Sequence, residues 1–469
     1  MDALDSLAAR LAPDRVRRDP AEVQPRARDL SALALLAEVR GDEPVTAAAV
    51  VLPESTEEVA AVLSWARETG TPIVPRGGGS GVSGGAGAVA GGVVLDLSRM
   101  DRVVEVDAVS RTVEVQAGIR GDVLEAALAA AGLTTGHYPQ SIELSTVGGW
   151  IAASSAGQAS TGYGAIEDLV LGLTVVLAGG AVVRLKPVPR SAAGPDLRRL
   201  FIGSEGTMGV VTEAVLACRP RPPGYAWAGF AFPSFEPCVE AARGIQSAGV
   251  DPMVVRGYDE ADATLAFGRL GHTGGSAAIV GFASDAPGLD ARLAETAVRA
   301  TAAGGRGLGP AFGRHWWVHR NDAVDLYRRI MGPERLFGPG TVVDTMEVAA
   351  VWSRVPELYR RVREALLGGA EIVGCHLSHV YPAGSSLYFT FLVRGADDRE
   401  VEGRYLATWE GAVLACLEAG GTITHHHGVG RLKARFMAGE LGDEGLEVLR
   451  AVKRALDPTG ILNPGVLVP

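Results

Sequence analysis

The chain has 469 residues, 47% of them hydrophobic and 21% charged, with 44 Lys and Arg against 54 Asp and Glu for a formal net charge of -10. That length exceeds one small core and suits two or three domains, the composition excludes a disordered chain, and an acidic balance without a basic stripe excludes a nucleic-acid partner. Cys218, Cys238, Cys375 and Cys416 lack the paired spacing of a zinc site or disulfide framework, no apolar run reaches membrane-span length, and MDALDSLAARLAPDRVRRDP is not a secretion signal, so a cytoplasmic protein is expected.

Residues 1–45 read as an N-terminal helical segment, an amphipathic helix followed by polar loop. TAAAVVLP then predicts a strand, and Ser55 with Glu58 forms a capping box opening the helix TEEVAAVLSWARETG. TPIVPR, VVLDLS, VVEVD and TVEVQAG predict further strands, and RGDVLEAALAAAG a helix, so residues 46–222 are expected to form one mixed domain. Ile166, Glu167 and Asp168 are expected to begin the strand EDLVLGLTVVLA. The prolines of CRPRPPGY (218–225) mark a boundary. Beyond it, 223–405 is expected to be a cap domain with an antiparallel sheet containing AAIVGFAS and SLYFTFLV. Residues 406–469 form a C-terminal segment with the helix GRYLATWEGAVLACLEAGG, a triple histidine and a final helix running to DPTGILNPG.

The segment PRGGGSGVSGGAGAVAGG carries Gly79, Gly81 and Gly84 at GxGxxG spacing, but a strand follows it instead of a helix, which excludes a Rossmann site. What remains is a tight loop rich in unencumbered backbone N–H groups and flanked by Arg76, suited to wrapping a diphosphate; the alternative is a flexible surface loop.

PRGGGSGVSGG, STVGGWIAASSAGQASTGYGAIEDLVL, GPDLRRLFIGSEGTMGVVTEA and DPTGILNPG occur in the order found in the vanillyl-alcohol oxidase/PCMH superfamily of FAD enzymes. The likeness spans residues 46–469 and resembles the FAD-binding oxidase/transferase type 4 group. It implies an α+β fold, a PCMH-type two-subdomain FAD-binding domain with an inserted cap. It also implies FAD contacts from Pro75, Arg76, Gly77, Gly78, Gly79, Ser80, Gly81 and Val82; from Pro139, Gln140, Ser141, Thr146, Gly148, Gly149 and Ser155; from Gly157, Tyr163 and Gly164; and from Glu205, Gly206, Gly209, Val210, Val211 and Asn463. SEGTMG read alone is equally an ordinary turn, and Asp168 a backbone cap. With no His or Cys beside the glycine loop, FAD is expected to be non-covalent.

Metal-assisted hydroxy-acid dehydrogenases of this group carry a second histidine where this chain has Tyr388, and glutamate where it has His426, so no metal is expected. Both differences instead resemble the alkyldihydroxyacetonephosphate synthase family, as do His425, His427, His137 in GHYPQS and Arg256 in MVVRGYDE. That resemblance implies exchange of the acyl group of an acyl-dihydroxyacetone-phosphate-like substrate for a fatty alcohol, with flavin N5 as nucleophile. Tyr388 would be the acid/base, made more acidic by charged imidazoles or arginines, His425 to His427 would bind substrate oxygen and tune it, and Arg256 would be a bidentate phosphate clamp. Gln140 departs from the family's aspartate. A second phosphate arginine does not align without gaps: Arg335 is the counterpart, with Arg328 and Arg329 as rivals. A small-molecule or lipid-like substrate, peripheral membrane contact and a homodimer follow from the same resemblance. Each residue also has a bland reading, Tyr388 as a buried strand tyrosine, His137 as a core histidine, Arg256 as an ion-pair residue and His425 to His427 as a metal-binding run or an accidental loop. An FAD-dependent oxidase or dehydrogenase of a hydroxy acid or alcohol is the alternative activity, and a non-catalytic FAD-binding protein a third.

Overall fold

The structure, a computed structural model, describes residues 3–43 and 45–468. The chain divides into two compact units, the first made of Met1–Ser155, Ala165–Pro220 and His426–Pro469, the second of Ala156–Gly164 and Arg221–His425. Among the described residues no helix is long and apolar enough to cross a membrane.

In the first unit, Ala49–Val51, Val93–Asp96 and Ile73–Arg76 form parallel neighbours in a four-stranded sheet whose edge is Val16–Arg17. Unbroken apolar runs suit strands buried on both faces, and Val50 and Val94 face one cluster while Val51, Val93 and Leu95 face the main core. The helix Thr56–Thr69 begins where Ser55 Oγ accepts the Glu58 N–H (3.2 Å) and ends at Gly70 in the left-handed region. Its buried stripe of Val59, Val62, Leu63 and Ala66 packs into that core. A second, five-stranded antiparallel sheet runs Val103–Asp107, Thr112–Gln116, Val210–Ala217, Val170–Val176, Val182–Leu185.

The end of the chain completes the first sheet. Ile73 N–H donates to Ile461 O and Asn463 N–H to Ile73 O, each at 2.8 Å. The turn is shaped by Asp457, whose carboxylate accepts the Ile461 and Leu462 N–H groups (3.2 and 2.8 Å) and the Lys453 ammonium.

Two local expectations change here. The N-terminal segment is three short helices, Ala3–Ala8, Pro20–Val23 and Ala32–Arg40, because Pro13, Pro20 and Pro25 break the amphipathic pattern. Ile166–Leu169 is a helical turn and the strand starts at Val170, since the Asp168 carboxylate accepts the Ala165 N–H (3.0 Å) and stabilises a helix start.

The second unit is built on a seven-stranded antiparallel sheet ordered Arg306–Gly307, Tyr225–Phe232, Ser276–Ala283, Val254–Tyr258, Ile372–Val380, Gly384–Arg394, Thr341–Val351. Side-chain alternation gives the sheet two unlike faces. Cys375, Leu377, Phe389, Phe391 and Met346 are buried on one. Against it lies the helix Asp398–Glu418, tied down where Tyr405 Oη (2.6 Å) and Trp409 Nε1 (3.0 Å) both donate to Asp344. This anchoring moves the boundary expected at residue 405: the helix belongs to the second unit, which runs on to His425. The opposite face is polar. Tyr258 pairs with His376, His376 with Tyr388 and Tyr388 with Glu347, forming one row across four strands, with Arg256 two residues before Tyr258 on the same face.

Candidate functional site

In the first unit the strand Ile73–Arg76 runs into the glycine loop, which lies hard against the segment before Val147–Ala153. A Cβ on Gly77 would stand 2.2 Å from Thr146 Oγ1, and one on Gly78 1.7 Å from Leu144 O. Gly79 has φ +66° and would collide with the Arg76 guanidinium. Side chains are excluded for steric reasons. The backbone N–H groups of Gly77, Gly78, Gly79, Ser80, Gly81 and Val82 find no acceptor among the described residues. Arg76 is largely buried, its Nη1 also without a partner among those residues, and burial lowers its pKa against the pull of Asp96 and Asp29. Adjacent donors beside a desolvated guanidinium form a nest for a diphosphate.

The loop is held from outside by groups distant in sequence. Leu30 N–H donates to Gly81 O (2.8 Å), and Asp29, itself 2% exposed, accepts the Ser31 N–H and reaches the Ala86 N–H (3.5 Å). Arg431 Nη1 donates to Gly84 O (2.7 Å) and Gly87 O (2.9 Å). Asn463 Nδ2 donates to Gly85 O and Glu205 O (2.9 and 2.7 Å). Glu205 stands in the left-handed region at φ 50°, where its carboxylate accepts the Val429 and Gly430 N–H groups. Burial pushes that carboxyl up to about 7. Gly430 allows the contact, since a Cβ there would lie 1.9 Å from Ser83 O.

The remaining cofactor candidates separate. Pro139 and Ser141 carbonyls close the turn before Thr146, whose Oγ1 accepts the Gly149 N–H (3.3 Å), and Gly148 N–H donates to Ala117 O. Gly206 packs on Pro75, while Gly209, Val210 and Val211 serve the five-stranded sheet. Gly157, Tyr163 and Gly164 fall in the second unit, where the Gly162 N–H donates to Met253 O and Thr161 Oγ1 accepts the Val380 N–H. His137 is fully buried beside Trp150, its Nε2 3.0 Å from Ser155 Oγ and its Nδ1 without a partner among the described residues. Burial drives its pKa down to about 3, so it is a neutral imidazole and not a cationic proton donor.

In the second unit Arg256 is 8% exposed and does not present the expected free fork. Its Nε donates to Tyr258 Oη (3.1 Å) and its Nη2 to His376 Nε2, which leaves Nη1. The Tyr388 hydroxyl donates to Thr345 Oγ1 (3.1 Å) and its ring stacks on His376 at 4.9 Å. Burial, with Glu347 and Asp344 adding to it, raises the Tyr388 pKa. The expected acidification is thereby reversed: desolvation and carboxylates outweigh Arg256, and the residue is a neutral phenol. His425 Nε2 lies 3.0 Å from Tyr381 Oη and its ring stacks on His379, whose Nδ1 is 2.6 Å from Ser160 Oγ. The compact units divide inside the histidine run, His426 and His427 belonging to the first with rings 4.6 Å apart. Arg335 is not available to a phosphate, because its guanidinium grips Asp398 in a two-point ion pair. Arg329 pairs with Glu334, and Arg328 is exposed without an ion pair among the described residues.

The FAD binding domain description matches residues 47–186, and the description of FAD linked oxidases, C-terminal domain, matches residues 221–467. This chain belongs to the FAD-linked oxidase family. It is an FAD-dependent enzyme of that family acting on a small molecule, with the α+β, PCMH-type fold. The uncharacterized FAD-linked oxidoreductase YgcU of Escherichia coli (strain K12) is 32% identical over 90% of this chain and 89% of its own. Alkyldihydroxyacetonephosphate synthase of Trypanosoma brucei brucei is 30% identical over 90% and 73%. A solved structure of an alkyldihydroxyacetonephosphate synthase superposes with TM-score 0.81 at 26% identity, covering 98% of this chain and 84% of that one. The residues present in this chain fit FAD: open N–H groups along Gly77–Val82, the partnerless Arg76 Nη1 and glycines that admit no Cβ make a cradle for its diphosphate.

Sequence patterns alone miss Asp29, Asp262, His376, His379, Tyr381 and Glu347. His376 and His379 stand three apart in CHLSHVYP, a strand segment whose pattern reads as core. Asp29 lies in a segment with no motif, and tertiary contact alone brings it to the loop.

Proposed function

We propose that this flavoenzyme is a transferase of the alkylglycerone-phosphate synthase type. It exchanges the acyl group of an acyl-dihydroxyacetone-phosphate-like substrate for a fatty alcohol, the acyl chain leaving as a fatty acid and the alcohol oxygen entering the ether, with no net redox change. The carrying observation is the polar row Tyr258, His376, Tyr388, Glu347 with Arg256 on the same face of the sheet, a fixed cation beside a neutral phenol. The synthase of Trypanosoma brucei brucei and the superposed synthase structure support the same reading. Arg256 offers Nη1 to an anionic oxygen of the substrate. Tyr388 enters the cycle protonated and passes its proton at Oη, with Thr345 Oγ1 accepting from the hydroxyl between turnovers. Glu347 is occupied by Thr424 Oγ1 (2.5 Å), which holds the approach to the histidine run. Flavin, when bound, supplies the nucleophilic centre.

Turnover of acyl-dihydroxyacetone phosphate with hexadecanol tests the reading. Tyr388→Phe is expected to lower kcat by about 100-fold or more while keeping the flavin absorption of the wild type; full turnover of that variant defeats the assignment. FAD is held non-covalently in this reading, since Pro75–Gly85 contains no His or Cys, and all flavin is expected in the supernatant after denaturation. The second reading is an oxidase or dehydrogenase of a hydroxy acid or alcohol, favoured by the 32% identity to an FAD-linked oxidoreductase. Anaerobic bleaching of the flavin by D-lactate or glycolate identifies it.

A further inference from the structure

Arg256 is held along its whole side-on edge, Nε on Tyr258 Oη at 3.1 Å and Nη2 on His376 Nε2. A guanidinium only donates, so the Nε2 that faces it must be the ring nitrogen without a proton. The imidazole proton therefore sits on Nδ1, which donates to Asp262 Oδ2 at 2.6 Å. Each link has one allowed protonation state, and each is locked by packing. Asp262 is in the first turn of the helix Glu260–Phe267, its N–H donating to the Asp259 cap (2.9 Å). Gly374 lets that helix come close, as a Cβ there would lie 3.1 Å from Asp262 Cβ. The His376 ring lies between Tyr388 (4.9 Å) and Tyr258 (5.3 Å), and Arg256 Cζ stands 5.1 Å from the Trp316 ring centroid. Arg256 has no room to swing. Its Nη1 is the one nitrogen without a partner among the described residues.

We propose that His376 and Asp262 are positioning residues that hold Arg256 with Nη1 turned to an oxyanion of the substrate. Selection at this face is thus for a small molecule bearing a terminal phosphate or carboxylate. The relay rests on the function read above for this face, and two separate measurements keep the failures apart. In 15N-histidine holoenzyme, the His376 Nε2 signal, assigned by its loss in His376→Gln, is expected to show an unprotonated nitrogen throughout neutral pH. Asp262→Ala is expected to mix the two tautomers. A protonated Nε2 in the wild type overturns the relay whatever the reaction is.

Calorimetric binding of dihydroxyacetone phosphate, D-lactate and uncharged dihydroxyacetone to the same holoenzymes forms the second arm. Asp262→Ala and His376→Phe are expected to weaken the favoured anion by about tenfold or more, the worth of one hydrogen bond to a charged group. Dihydroxyacetone stays unchanged, and His376→Gln, whose amide oxygen can accept from Arg256, stays within about threefold. In turnover the same loss falls on KM and not on kcat. Phosphate as the favoured anion supports the synthase reading and carboxylate the oxidoreductase one. Equal losses for charged and uncharged ligands, or wild-type protein that binds neither anion, overturns the oxyanion role.

Discussion

Tyr388 and Glu205 show how burial decides what a titratable side chain does. Tyr388 reads from the sequence as an acid sharpened by cationic neighbours, yet burial and the carboxylates of Glu347 and Asp344 outweigh the one cation beside it, Arg256, so its pKa rises. Residue identity was legible, and the sign of the shift was not, because it depends on which groups share the strand row. Glu205 carries a testable sign. An acid whose native pKa is lifted from 4.5 to about 7 binds more protons folded than unfolded in that window, so its contribution to stability falls as pH rises through it. The melting temperature of flavin-free wild type is expected to decline between those limits more than that of Glu205→Gln, and parallel curves would remove Glu205 as the source. His137, neutral down to about 3, is expected to show no imidazole titration by NMR above pH 5, the range where an exposed histidine would titrate.

At the scale of elements, caps and periodicity located most of the structure. Ser55 and Gly70 delimit their helix in the sequence as they do in the fold, while the capping box is only half formed, the Glu58 carboxylate accepting the Glu54 N–H (2.7 Å) and not that of Ser55. The glycine loop is equally visible, because glycine is the residue that a contact as close as Gly78 to Leu144 O permits. Gly78→Ala is therefore expected to yield protein without bound FAD, read from the absorbance of the purified chain; a yellow variant with normal stoichiometry would contradict the close approach. Pattern alone places the helix Asp398–Glu418 in a C-terminal segment, as nothing local says that Tyr405 and Trp409 reach Asp344 in a strand some sixty residues earlier. The ion pair of Arg335 is equally invisible in the sequence, its partner Asp398 being 63 positions along. Arg335→Met should destabilise the second unit by about 3 kcal/mol, the loss typical of leaving one member of a largely buried pair unmatched, without altering KM; a raised KM at normal stability would restore it as a substrate residue.

For the whole molecule, the flavin cradle joins stretches that lie far apart along the chain. Glu205, Arg431 and Asn463 bind the loop 77–87, the turn 203–209 and the segment 426–433 to one another. Adding FAD to the flavin-free chain is expected to slow amide hydrogen exchange in all three stretches together, and protection confined to 77–82 would show that the ties do not transmit binding. Such interleaving has a consequence for biosynthesis. Every residue of the second unit, through His425, leaves the ribosome before His426, whereas the first unit still awaits Arg431 and Asn463. At about 5 to 20 residues per second the younger half of the protein is ready to fold several seconds before the older half can close around its cofactor. Nascent chains halted just after His425 has cleared the ribosome, in a variant lacking the residues from His426 on, should thus contain a folded second unit and no flavin, and flavin loading is expected only once Arg431 and Asn463 have been added.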